Sequence, residues 1–226
     1  MNALLAPETT DLNGLTVLLT AGPTQEAIDP VRYISNHSTG KMGYAIADVL
    51  AEWGATVTLV SGPTTLKAGH PAVRVVPVVS AAQMHAACQA YFPTATLTIL
   101  AAAVADYTPK VVADRKLKKK AEFSIELVRT VDIAARLGHQ KRPDQFLVGF
   151  ALETDNEQAN AEAKLVSKNL DLIVLNSLRH AGAGFGHDTN QVSLLDRVGT
   201  VRELPLNTKR AIAESLVRHI AGSLVA

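Results

Sequence analysis

The residues with the greatest chemical capacity crowd into one stretch, Thr20 to Lys41. Within it, Ser35-Asn36-His37-Ser38-Thr39-Gly40 sets a run of hydrogen-bonding side chains and a glycine directly ahead of a helical pattern. A helix start carries free N–H groups and roughly +0.5 of an elementary charge, so the run suits a bound anion. Read as a helix cap it is over-provided, because capping takes one such side chain. Arg32 can grip a carboxylate or phosphate with two parallel hydrogen bonds. Thr20-Ala21-Gly22-Pro23-Thr24 adds a turn in which Gly22 lets the backbone approach a ligand and two threonines bring hydroxyls. An ordinary Gly-Pro turn has the same composition. Neither common phosphate fingerprint is complete. No G-x-G-x-x-G follows the first strand, the position five before Gly40 is Ser35, and Met42 follows Lys41 where a P-loop has Ser or Thr.

Two further stretches carry chemistry. Ala101-Ala102-Ala103-Val104-Ala105-Asp106-Tyr107 ends an apolar strand, and its alanines allow something flat to lie close to the backbone. Asp106 there is either a turn aspartate or a carboxylate that orients Mg²⁺ on phosphates. Lys116-Leu117-Lys118-Lys119-Lys120, with Lys110 and Arg115 upstream, is the strongest charge run. Each like-charged pair at close range costs on the order of 1 kcal/mol in water. Such a run is ordinarily a solvated face or a nucleic-acid contact. Here it interrupts an α/β pattern just after a strand's ligand end, which favours a mobile flap, about 108–121, over a polyphosphate. The single cysteine, Cys88, falls in a helical pattern and reads as a small buried hydrophobe rather than a nucleophile.

The elements that must position these residues follow from hydrophobic period. Leu15 to Thr20 is a buried parallel strand, and Met42, Ile46, Val49, Leu50 and Trp53 recur as one helix face. The segment between them is long for a strand-to-helix connection and should be an irregular ligand loop over residues 21–43. Strands are expected at Thr56–Val60, Val73–Val79 and Thr96–Ala102, with a Ser80-capped helix reaching Tyr91. Phe123–Val128 alternates like a strand, and Thr130 or Asp132 starts a helix to Leu137. Gln145–Gly149 is a buried strand followed by a loop from Phe150 to Asn156, then a helix over Glu157–Lys168 and a strand over Asp171–Leu175. Gln191–Asp196 and Val201–Leu204 form a hairpin about Gly199, and Pro205–Ser223 a final helix capped by Asn207. The class is α/β, a doubly wound and mostly parallel sheet with right-handed crossovers.

With 226 residues and 47% hydrophobic content, residues 14–226 suit a single domain, and residues 1–13 read as a tail or linker remnant with no role in the fold. A net charge of +1 gives no case for nucleic acid or a membrane surface. No apolar run reaches the roughly 18 residues of a membrane span and no secretory pattern opens the chain, so a cytoplasmic protein is expected.

Taken together, AGPTQEAIDPVRYISNHSTGKMGYAIA, AAAVADY, KLKK and VGFALET resemble the bacterial phosphopantothenate–cysteine ligase family of coenzyme A biosynthesis, from about Leu15 to Ile220. The resemblance implies a Rossmann-like fold with a β-rich flap and dimerisation region, and a homodimer. It also implies CTP as activating nucleotide, Mg²⁺, and 4′-phosphopantothenate and L-cysteine as substrates joined through an acyl-cytidylate. Asn36 matches the asparagine at that intermediate, Arg32 its companion on the pantothenate side, and Lys116 the flap lysine, with Lys118 and Lys119 completing the lysine motif. Gly22, Ser38, Thr39, Gly40, Ala102, Ala103 and Asp106 fall where the nucleotide and its metal should lie, and Phe150 beside the cytosine. Many relatives are fused to a flavin-dependent decarboxylase, which makes that domain or protein a possible partner. The competing readings are a nicotinamide-dependent (NAD(P)) oxidoreductase on the same architecture and a basic-flap nucleic-acid binder. Against the first, the strand at 56–60 ends Val60-Ser61-Gly62, without the acidic residue that would bind ribose.

Overall fold

The computed structural model describes residues 11–118, 122–153, 155–177 and 186–225. In chain order these form β1 (Thr16–Ala21), β2 (Gln25–Ala27), β3 (Tyr33–Ser35), α1 (Lys41–Glu52), β4 (Thr56–Ser61), β5 (Arg74–Pro77) and α2 (Ala81–Tyr91). After a 3₁₀ turn come β6 (Leu97–Leu100), β7 (Tyr107–Pro109), β8 (Leu127–Arg129), α3 (Ile133–Gln140), β9 (Phe146–Glu153) and α4 (Glu157–Ser167). The last elements are β10 (Leu172–Ser177), β11 (Thr189–Asp196), β12 (Val201–Thr208) and α5 (Lys209–Val225).

Eight strands make one sheet in the order β12-β11-β10-β9-β6-β1-β4-β5. Every pair from β10 to β5 is parallel, and the β11–β12 hairpin adds an antiparallel edge. Alternate side chains of β1 enter two cores. Val17 and Leu19 pack with Ile46 and Leu50 of α1 and Leu216 and Ile220 of α5, whereas Leu18 packs with Met84 of α2, Leu137 of α3 and Leu165 of α4. The result is the three-layer, Rossmann-like arrangement expected for parallel strands buried on both faces. From β1 the chain first runs outward to β5 and then returns to β6 on β1's other side. The order therefore reverses between β1 and β6, and ligands in such sheets bind beyond the carboxyl ends of the strands at that reversal. Among the described residues no helix is long and apolar enough to cross a membrane.

Several local expectations change. The loop after β1 is not irregular throughout, because β2 and β3 pair within it, Glu26 opposite Ile34. The expected strand at 123–128 shrinks to β8, which pairs with β7 from Tyr107↔Arg129 to Pro109↔Leu127. Phe150 lies inside β9 rather than in a loop, because β10 keeps pairing with β9 through Ser177↔Glu153 after β6 stops at Gly149. The last helix starts at Lys209, since Pro205 to Thr208 continue the edge strand β12, a position that tolerates proline. Thr208 Oγ1 accepts the Ala211 N–H at 3.2 Å and takes the cap expected of Asn207. The supposed tail is docked at its end, with Leu12 buried in the core and its N–H bonded to the Trp53 carbonyl at 2.6 Å. Ser80 caps α2 through a capping box with Gln83, and Asp132 caps α3, both as expected.

Candidate functional site

A cavity of about 660 Å³ opens beyond the carboxyl ends of β6, β9 and β10, against the start of α1. The backbone that reaches it is held by tight approach. Gly40, the residue before α1, has φ +81°, a left-handed conformation that an L side chain strains to adopt. Its side-chain-free cap leaves the first N–H groups of α1 without a side-chain acceptor, while Ser38 Oγ accepts the Gly40 N–H at 3.3 Å. An uncapped helix start facing a cavity is a ready anion site. Behind it, a methyl group on Gly62 would sit 1.7 Å from the Pro23 carbonyl oxygen, so the end of β4 can lie against the 22–24 turn only as glycine.

The strand reversal is stitched across. Asn36 Nδ2 donates to the Ala103 carbonyl at 2.9 Å, Ala103 N–H to the Gly22 carbonyl at 2.9 Å, and Ala102 N–H to Thr20 Oγ1 at 3.2 Å. Thr24 Oγ1 accepts the Ala105 N–H at 2.9 Å, and the residue is fully buried. The Thr24 hydroxyl, expected to face a ligand, thus holds β6's extension in place, and the Thr20 hydroxyl does so from a residue that also lines the cavity. The Ala102 and Ala103 N–H groups are likewise engaged with the chain itself, and the two residues meet the cavity as a low wall.

Of the residues singled out by sequence, Asn36, Ser38, Thr39, Gly40, Ala102, Ala103, Asp106 and Phe150 line this one cavity. Gly22 stands behind it, against Gly40 and Gly62. Arg32, Lys116 and Lys118 are not brought to its wall. Arg32 instead pairs with Asp29 through Nε at 3.0 Å and through Nη2. Lys119 lies outside the described residues. Asp106 is exposed, and among the described residues no group of three or more His, Cys, Asp or Glu could hold a metal ion. One carboxylate in a cavity that an uncapped helix start faces still fits Mg²⁺, which is held by one or two carboxylates plus substrate phosphates rather than by a protein cage.

The cavity also collects residues that sequence did not single out. Lys164 and Lys168 reach it from one face of the α4 region, a turn apart. Lys168 Nζ pairs with Asp132 Oδ2 at 2.9 Å. Burial works to raise the Asp132 carboxyl, yet the Ala135 N–H and Lys168 outweigh it and hold the group below its ordinary value. Lys209 is 8% exposed and donates to the His187 carbonyl, while Lys41 Nζ binds Asp188 Oδ1 at 2.6 Å. Burial, then the neighbouring Lys41 charge, presses the Lys209 ammonium below its usual range. No local motif announces these lysines. Lys41 and Lys209 open helices, Lys164 and Lys168 close one, and only the sheet order brings them together.

Cys88, on the buried face of α2, lies outside the cavity, and desolvation pushes its thiol up to about 12. A thiol that acidic only at high pH is inert near neutrality. Iodoacetamide at pH 8 is expected to leave the folded protein unmodified and to label it once fully denatured, read by intact mass. Stoichiometric labelling of the native protein would refute this.

Four likenesses to known proteins bear on this geometry. The family described as the DNA/pantothenate metabolism flavoprotein C-terminal domain matches residues 12–224. Over 210 residues the chain is 51% identical to a protein named cysteine/cysteine sulfinic acid decarboxylase from an unknown prokaryotic organism, covering 92% of this chain and 58% of that one. Over 211 residues it is 47% identical to the coenzyme A biosynthesis bifunctional protein CoaBC of Bacillus subtilis (strain 168), covering 93% of this chain and 52% of that one. Among solved structures, the C-terminal domain of a CoaBC protein superposes with a TM-score of 0.81 at 43% identity, over 96% of this chain and 98% of that one. The chain thus spans little more than half the length of the curated relatives it matches.

Proposed function

The chain belongs to the DNA/pantothenate metabolism flavoprotein C-terminal domain family, and from that premise we propose that it is a phosphopantothenate–cysteine ligase of coenzyme A biosynthesis, with CTP as the activating nucleotide. The observation that carries this is the cavity at the strand reversal, where an uncapped helix start and four lysines surround Asn36 and Asp106. The reaction has to bring two anions together, and such a site is built to do so.

In the proposed first step a carboxylate oxygen of 4′-phosphopantothenate attacks the α-phosphorus of CTP. The bond to the bridging oxygen breaks, and pyrophosphate leaves. In the second, the neutral amine of L-cysteine attacks the acyl carbon of the acyl-cytidylate, CMP leaves with the C–O bond electrons, and the amine loses a proton to solvent. Phe150 offers a flat face for cytosine, and Lys164 and Lys168 donate to the nucleotide. Ser38, Thr39, Gly40 and the first N–H groups of α1 hold phosphate oxygens, backed by Gly22. Ala102 and Ala103 keep the wall low, and Asn36 hydrogen-bonds the acyl group without adding negative charge. Asp106 would hold Mg²⁺, which supplies charge neutralisation on the phosphates when bound. The flap lysines Lys116, Lys118 and Lys119 add positive charge as pyrophosphate forms.

A homodimer is part of the same proposal. Val31, Tyr33, Tyr107, Val111, Phe123 and Leu127 are exposed large apolar residues on and beside the two small sheets, the kind of surface a second copy covers. The flavin-dependent decarboxylase that acts on the product is the natural partner, and the cytoplasm the natural place.

The test is pyrophosphate release with 4′-phosphopantothenate and Mg²⁺, comparing CTP with ATP, with and without cysteine. Release that needs CTP and rises with cysteine is expected. Release with ATP alone would overturn the nucleotide, and none from folded protein would overturn the ligase. The oxidoreductase alternative lacks both a glycine fingerprint and a ribose-binding acid after β4.

A further inference from the structure

Asp29 lies in the turn between β2 and β3, away from the cavity wall, with its side chain 0% exposed. A carboxylate so placed must have its lone pairs filled, and they are. Oδ1 accepts the N–H groups of Val31 and Arg32, each at 2.9 Å. Oδ2 accepts Arg32 Nε at 3.0 Å, Arg32 Nη2, and the N–H of Leu117 at 3.1 Å. Arg32 Nη2 then donates to the Leu117 carbonyl at 3.1 Å. The ion pair therefore holds both backbone groups of one residue 88 positions from Asp29 along the chain. Leu117 is the residue between Lys116 and Lys118, and both lysines are exposed. The same stretch is held again four residues earlier, where the Ala113 N–H donates to the Ile28 carbonyl at 3.0 Å. Lys116 thus rides on a strap fixed at 113 and 117 to the β2–β3 hairpin. Phe123 covers the clasp, its ring centroid 6.0 Å from the guanidinium.

We propose that Asp29 is a positioning residue: with Arg32 it clasps Leu117 and so sets where Lys116 and Lys118 stand over the nucleotide. This rests on the ligase reading for the work those lysines do, but not for the clasp itself. It gives Arg32 a role that needs no contact with ligand, consistent with its place off the cavity wall. It also accounts for a charged group buried at a surface hairpin, where an uncharged turn residue would serve folding alone. The Arg32 guanidinium holds the Asp29 carboxyl well below the usual carboxylate range, so the clasp stays charged at any pH near neutrality.

Two measurements separate the clasp from the chemistry. The first is a double-mutant cycle on pyrophosphate release from CTP and 4′-phosphopantothenate. Asp29→Asn turns an acceptor into an amide donor facing the Leu117 N–H, and should slow release about thirtyfold beside Lys116 but less than about threefold beside Lys116→Ala. Arg32→Lys, which keeps the charge and loses the fork, should show the same non-additivity with a smaller loss. Equal losses in both backgrounds would overturn the proposal. The second is amide hydrogen exchange at Leu117 in the whole protein without ligands, which needs no activity. Protection is expected to fall at least tenfold in Asp29→Asn, with the core strands unchanged. Unchanged exchange at Leu117 would overturn the clasp even if the ligase reading stands, and a protected Leu117 in a protein that releases no pyrophosphate would leave the clasp and remove its task.

Discussion

Asn36→Asp is expected to slow overall ligation by two to three orders of magnitude, the range found when one donor to a developing oxyanion is lost. The two half-reactions should not suffer equally. In the first, charge develops on the phosphoryl group, which the lysines and the start of α1 face. In the second, charge develops on the acyl oxygen as cysteine attacks, and there the Asn36 amide is the neutral donor at the cavity rim. A carboxylate in its place repels that oxygen, by about 4 kcal/mol for full charges 4 Å apart at an effective dielectric of 20. It also loses the Nδ2 bond to the Ala103 carbonyl and turns two acceptors toward each other. Pyrophosphate should therefore still appear in a first turnover while the acyl-cytidylate accumulates, detectable by mass after acid quench. Asn36→Ala separates the causes, since it breaks the tether without adding charge and should leave less intermediate behind. Turnover of Asn36→Asp at the wild-type rate would remove the role given to this residue.

Gly62→Ala should cost about 3 kcal/mol of stability, at the upper end for overpacking, because the atom it strikes cannot move alone. A Cβ there would lie 1.7 Å from the Pro23 oxygen and 2.8 Å from its carbonyl carbon, and Gly62 N–H is bonded to the Ala21 carbonyl at 2.9 Å. Relief therefore means shifting the end of β4 away from the turn after β1. For a chain of this length that corresponds to a fall in Tm of roughly 6–12 °C by calorimetry. Nucleotide affinity should fall further than stability does, since Gly22 contacts both Gly62 and Gly40, and Gly40 aims the start of α1. A Tm within a degree of wild type would show that the turn has slack the packing does not suggest.

The architecture was legible because its strands are buried on both faces and its helices on one. Leu15 to Thr20 can be little else than a central strand, and Ser80 with Gln83 announces a helix start by chemistry alone. Sequence alone puts Phe150 in a loop, because an apolar run carries no mark of where pairing ends. β9 extends to Glu153 only because β10 continues beside it, and that is a fact about another segment. Pro205 reads as a helix start for a similar reason, since its tolerance on an edge strand appears only once the sheet order is known. Asn36, Ser38, Asp106 and Phe150, all singled out by residue type, line one cavity. Lys164, Lys168 and Lys209 did not declare themselves, because a lysine on a helix is solvated unless the fold turns it inward. Arg32 reads as a ligand clamp because its type allows it. The competing claim of Asp29, three residues earlier, becomes visible only when Leu117 is beside both.

The docking of Leu12 against Trp53 fixes the direction from which the chain enters the domain. That junction lies at the amino end of β1, so roughly 20 Å of strand separates it from the cavity mouth. A sensor surface, a dye or an affinity handle joined ahead of Asp11 would thus leave from the opposite pole and keep the mouth open to solvent. Immobilised this way, the protein should bind ligands as it does when free.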